Sequence, residues 1–223
     1  IPPFVDIDMK LTQESASMLG FGLLYKGSGN RQVSEMLLVQ LGRKPLSNKD
    51  IEREGMCLAA GVALGLVNLA SANMTPGLED LRIDERLINM FEGGRRMAPP
   101  KLLQSGGLIN ESKCSVTNEG DFVMTSVTAP GALLAYALIH LRTNDALIAS
   151  KIQMPSAFYA LEWVIPEHLM LKVLAKNLIM FDSIECSRDW VYSQIPSVIR
   201  FCFENTIEKV VSEFQSIEEI DFS

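Results

Sequence analysis

Three glycine-bearing stretches and a scatter of cysteine and histidine are the places where this chain could do chemistry. Gly22-x-x-x-x-Gly27 has the glycine spacing of a phosphate-cradling loop, but such a loop needs Lys next and this chain has Ser28. The stretch also runs along a helical pattern and follows no strand. Gly20-x-Gly22 lacks the third glycine of a dinucleotide fingerprint, because position 25 is Tyr. Gly61-x-x-x-Gly65 has the spacing of a membrane helix-pairing motif. The charge-free run from Gly55 to Val67 falls well short of the ~20 residues a bilayer requires, and Glu52, Arg53 and Glu54 adjoin it. All three sets point to close packing of a buried helix.

The four cysteines, Cys57, Cys114, Cys186 and Cys202, are far apart and form no Cys-x-x-Cys pair. They read as free thiols of a reducing compartment. The two histidines, His140 and His168, have no nearby Cys, Asp or Glu spaced for a metal site or a triad. His140 ends a helical pattern, and His168 follows Pro166 in a first turn, where an exposed side chain is expected. No catalytic, cofactor-binding or metal-ligating residue is assigned. Arg95-Arg96 reads as a solvated loop pair in preference to a contact for an acidic partner, and the tail IEEIDFS as surface or linker.

The 223 residues are 48% hydrophobic and 21% charged, a globular composition with room for a real core. With 20 basic residues against 27 acidic, the net charge of −7 argues against a broad nucleic-acid footprint. The chain begins at Ile1 without a signal-like segment and reads as a piece of a longer protein.

Helical periodicity then organises nearly everything. Helices are expected over 11–26, 31–41, 53–70, 78–91, 130–141 with Pro130 in the opening turn, 144–154 capped by Asn144 or Asp145, 156–164, 166–181, 188–194 and 197–214. The stretch 93–128 breaks the pattern with Gly-Gly-Arg-Arg, Pro99-Pro100 and Gly106-Gly107. Weak period-two alternation over 113–117 and 121–127 suggests a small hairpin inside it.

The helices also repeat. ASMLGFGLLYKGSGN from Ala16 aligns with AAGVALGLVNLASAN from Ala59, placing Gly22 on Gly65, Gly20 on Ala63 and Asn30 on Asn73. GALLAYALIHLRTND from Gly131 continues the series, with Ala135 and Ala137 at the small positions and His140 where Tyr25 and Asn68 stand. Units therefore begin near 16, 59 and 131, with 93–128 as an insertion and further helices over 156–214. A glycine inside a helix costs about 1 kcal/mol against alanine, so Gly20, Gly22, Gly61 and Gly65 need an offsetting close approach between backbones, and Gly131 is a further small repeat position. An inner layer of small-residue helices covered by an outer amphipathic layer supplies it.

The unit LGFGLLYKGSGN resembles the proteasome–cyclosome repeat, shared by two large proteasome regulatory subunits and the largest subunit of the anaphase-promoting complex. LLVQLGRKP (37–45), REGMCLAAGVALGLV (53–67), FEGGRR (91–96), DFVMTSVTAPGALLA (121–135), LKVLAKNLIMFDSIE (171–185) and SQIP (193–196) are similar to the latter branch, in its order. The resemblance implies one all-α domain, an arc of an α-toroid built as an α/α solenoid with an irregular or hairpin insertion. It implies a non-catalytic scaffold of a cell-cycle ubiquitin ligase in nucleus and cytoplasm. Partners would be a Doc-domain subunit, TPR subunits and a cullin–RING module, without cofactor, nucleic acid, membrane or small-molecule substrate. The alternative is a proteasome-type subunit that binds ubiquitin or shuttle factors. The isolated chain is expected to be soluble, and monomeric or weakly self-associated through the unfinished ends of its stack.

Overall fold

The computed structural model describes residues 11–43, 53–72, 75–93, 124–156 and 165–206. They are helical, with no strand among them. Helices α1 (Leu11–Leu24), α3 (Arg53–Val67), α5 (Thr125–Ile139) and α7 (Pro166–Ile179) pack side by side, each against the next, as the inner layer. Helices α2 (Arg31–Gly42), α4 (Ile83–Glu92) and α6 (Ala146–Ser150) form the outer layer, and each rests on the inner helix of the following unit. Beyond α7 come a 3-10 turn (Phe181–Ser183), α8 (Arg188–Ser193) and a helical run over 197–206.

Local chemistry explains the helix starts. The Asn30 side chain accepts the Val33 amide at 3.1 Å, Asp145 accepts the Leu147 amide at 2.8 Å and Ser187 accepts the Trp190 amide at 3.1 Å, each satisfying an amide with no partner inside its helix. In α2, Val33, Ser34, Leu37, Leu38 and Leu41 share the inward face, whereas α3 is buried nearly all round because it lies between α1, α2 and α5.

The units interlock by a repeated backbone ladder. Gly27 and Gly29 donate to the carbonyls of Leu66 and Val67 at 2.9 and 3.0 Å. Ala70 and Ala72 donate to Leu138 and Ile139, and Arg142 and Asn144 to Leu178 and Ile179, all at 3.0 Å. Each turn thus satisfies the last carbonyls of the next inner helix, groups that a helix leaves without internal partners. All six donors have positive φ, from 46° to 67°. Glycine adopts that conformation freely in the first turn. Ala70, Ala72, Arg142 and Asn144 occupy it at a cost, which the bonded carbonyls offset.

The ladder adds a fourth unit, headed by α7, to the three whose sequences align. Sequence comparison misses it because Lys176 and Asn177 stand where the other units carry apolar or small side chains.

Several boundaries differ from expectation. Pro130 lies inside α5, which begins at Thr125, so residues 125–127 are helical and not the end of a strand. The Thr128 hydroxyl donates to the Met90 carbonyl at 2.8 Å, anchoring that early turn on α4. The expected 78–91 helix breaks at Arg82, which takes a left-handed conformation (φ 47°) between the 3-10 turn Glu79–Leu81 and α4. The break lets both Leu81 and Ile83 be buried, which neighbours two apart on one straight helix could not share. The remaining hairpin residues, residues 157–164 of the helix expected over 156–164, most of the insertion and the acidic tail lie outside the described residues.

Candidate interaction surfaces

The small residues sit where inner helices approach most closely. A Cβ on Gly22 would lie 2.6 Å from the Ala63 Cα, and one on Gly65 would lie 2.7 Å from the Leu138 Cβ and 3.1 Å from the Ala135 Cα. Gly61 faces the Gly131 backbone, and Gly131 faces the Cys57 carbonyl, so α3 and α5 meet main chain to main chain. Ala135 and Ala137 are fully buried, as is Ala175 on α7. Gly20 differs, since a Cβ there would meet nothing within 4 Å.

Polar side chains between the layers are paired across units. Asn68, immediately after α3, donates to the Ser34 hydroxyl of α2 at 2.9 Å and to the Leu64 carbonyl at 3.1 Å. One unit on, the buried His140 places Nε2 2.9 Å from Asp84 Oδ1 of α4, with its ring 4.7 Å from that of Tyr136. Asn68 and His140 occupy the same repeat position, and both lock an inner helix to the outer helix before it. Nothing in the residue types alone pairs His140 with Asp84; the repeat register does.

Inside the stack the core thiol is held inert. Cys57 is buried, its Sγ 3.6 Å from the Leu41 carbonyl. Burial pushes its thiol up, against a smaller opposing pull from Arg53, so it carries a proton at neutral pH. Cys186 and Cys202 are exposed free thiols. Burial, reinforced by Asp84 and Asp145, also raises the Tyr136 phenol. His168 is partly buried, not exposed as expected, and that burial lowers its pKa. Asp80 is held low by its hydrogen bonds with Arg31, at 2.6 Å. Cys114, Arg95 and Arg96 lie outside the described residues. Among the described residues no group of His, Cys, Asp and Glu is arranged to hold a metal, and no helix is long and apolar enough to cross a membrane.

What remains available for recognition is surface. At the start of the stack, Leu23 and Leu24 are 66% and 75% exposed, whereas Val67, Ile139 and Ile179, at the repeat position of Leu24, are fully buried. Among the described residues no turn of another unit reaches the Leu23 and Leu24 carbonyls. On the last inner helix Met170 and Leu174 are exposed, as is Phe181 in the turn that follows it. Between α7 and the following helices lies an open cavity of about 410 Å³.

Comparison with known proteins places the chain in a family. The model of the APC1 fifth domain matches residues 1–221. The chain is 35% identical over 222 residues to anaphase-promoting complex subunit 1 of Homo sapiens, covering 99% of this chain and 11% of that protein. It is 31% identical over 218 residues to the Arabidopsis thaliana protein of the same name, covering 98% of this chain and 12% of the relative. Against a negative regulator of mitosis from Emericella nidulans it is 28% identical over 200 residues, 87% of this chain and 9% of that protein. The chain spans about a ninth of the length of such relatives, and it belongs to the APC1 fifth-domain family.

Proposed function

We propose that this chain is a non-catalytic scaffold segment of the anaphase-promoting complex, a ubiquitin ligase of the cell cycle, working in nucleus and cytoplasm. The single observation that carries this reading is the backbone ladder. It ties four units into one stiff stack and commits the small, polar and sulfur-bearing residues of the core to packing. A stack of this kind offers long surfaces to several proteins at once. The partners we propose are the Doc-domain subunit, the TPR subunits and the cullin–RING module. Family membership favours this assignment over a proteasome-type receptor for ubiquitin or shuttle factors.

The test is to delete the segment from its parent protein and isolate the complex. Subunits and ubiquitin transfer should be lost together. Separately, complexes carrying Cys57→Ala, Cys114→Ser, Cys186→Ser or Cys202→Ser should assemble and transfer ubiquitin normally. A variant that assembles normally yet abolishes transfer, with a ubiquitin thioester trapped on that cysteine in the parent, would overturn the reading.

A further inference from the structure

We propose that the open groove of the fourth unit docks an acidic peptide segment of a partner protein, with a carboxylate set between Lys176 and Arg200 and an apolar side chain against Trp190. The ladder places Lys176 level with Phe21, Leu64 and Tyr136 of the other units. Leu64 and Tyr136 are buried and Phe21 packs on the core, so each helps to fill the space between the layers. In the fourth unit an ammonium group stands at that position, and the space beside it is the cavity of about 410 Å³. That volume is within the range of sites that enclose a ligand.

The wall chemistry selects the occupant. Among the described residues two cations, Lys176 and Arg200, line the groove and no carboxylate does, in a chain whose acidic residues outnumber its basic ones by 27 to 20. Neither cation has an ion-pair partner among the described residues, whereas Lys172, one turn before Lys176, pairs with Glu92 at 3.1 Å. The Arg200 guanidinium lies 5.7 Å from the centre of the Tyr192 ring, and its Nε is buried without a partner. The helical run over 197–206 begins at the groove with Ser197, so its N-terminal dipole adds to the attraction for an anion. Met154, Val173, Met180, Trp190 and Ile195 supply an apolar wall that a bare inorganic ion would leave uncovered. A peptide carrying acidic and apolar side chains satisfies both halves. This proposal stands on the groove's own residues and does not depend on the identity of the surrounding complex.

The full 223-residue chain can be titrated with a fluorescein-labelled decapeptide alternating Glu with Leu and Phe, read by anisotropy. Matched peptides with Gln or Lys in place of Glu serve as controls. The acidic peptide should saturate, and the Gln and Lys peptides should bind at least about tenfold more weakly. Lys176→Glu combined with Arg200→Glu should shift the preference to the Lys peptide. Lys176→Leu should refill the layer, abolish binding of the acidic peptide and raise the melting temperature. Lys176→Gln, the mildest change, provides a reading if a reversal variant fails to fold by circular dichroism, and it should weaken binding of the acidic peptide. Absence of saturable binding to the parent chain, equal binding of the three peptides, or unchanged binding by folded Lys176→Gln or the folded double variant would each overturn the proposal.

Discussion

The junction between α3 and α5 and the fourth unit are built on one plan and filled in opposite ways. At the junction, Gly61 and Gly131 bring backbone against backbone, and Leu64, Leu133 and Tyr136 leave no room between the layers. In the fourth unit the same ladder holds α7 in register, but Lys176 replaces the filling side chain and a cavity stays open. The backbone register therefore defines a unit whether or not its interior is packed. Side-chain filling is a separate variable, free to change where a surface is used for recognition.

The harshest way to break this contrast is to add side chains at the closed junction. Gly61→Leu drives four carbons into the Gly131 carbonyl, which cannot rotate aside. We expect a loss of about 3 kcal/mol or more in denaturant melts, above the ordinary cost of overpacking. Gly65→Leu meets the Leu138 Cβ at 2.7 Å and the Ala135 Cα at 3.1 Å but no carbonyl, so its loss should be smaller, about 1–3 kcal/mol. Equal, negligible shifts in both would show that the inner helices are not closely packed.

Much of this architecture is legible in the residues, and the gaps have physical causes. The periodicity of 31–41 and a cap at Asn144 or Asp145 are local signals, and the structure places α2 there and Asp145 at the start of α6. The left-handed break at Arg82 is not local. It exists because Leu81 and Ile83 both need the core, a tertiary demand that overrides a good helical pattern. Pro130 misleads for a related reason. A proline favours a first turn, but the Thr128 bond to Met90 extends the helix N-terminally past it. The small-residue positions are visible by repetition, yet repetition alone cannot separate Gly22, which meets Ala63, from Gly20, which meets nothing. The fourth-unit groove was the least visible feature, since Lys176 departs from the repeat that would have revealed it.

A gentler test sharpens the contrast by pH. Cys57 and Tyr136 sit in the filled part of the stack, and both have pKa values raised by burial. In the unfolded chain the thiol ionises near 9.0 and the phenol near 10.0, while in the folded chain burial holds both protons to higher pH. Above pH 9 the unfolded state therefore binds fewer protons, and unfolding becomes progressively easier as pH rises. Stability from these groups is fully present below pH 9 and declines above it. Tyr136→Phe should remove the phenol's share, giving a shallower decline between pH 9 and 11 in denaturant melts followed by circular dichroism. An unchanged slope would mean that the phenol does not titrate differently in the two states.

The smallest effect concerns the open edge at α1. Gly20 matches Ala63 in the repeat, the position that faces the preceding inner helix. For Ala63 that neighbour is Gly22, and the two helices touch through it. At Gly20 a Cβ would enter open space, so only intrinsic helix preference is left to act. Gly20→Ala should therefore stabilise the chain by up to about 1 kcal/mol, while Gly22→Ala, pressed on the Ala63 Cα, should destabilise it. The pair differs by one methyl group at positions two apart on one helix, so composition and global propensity cancel. If both variants proved equally destabilising in denaturant melts, α1 would be packed on both faces, and its edge would belong with the closed junction and not with the open unit.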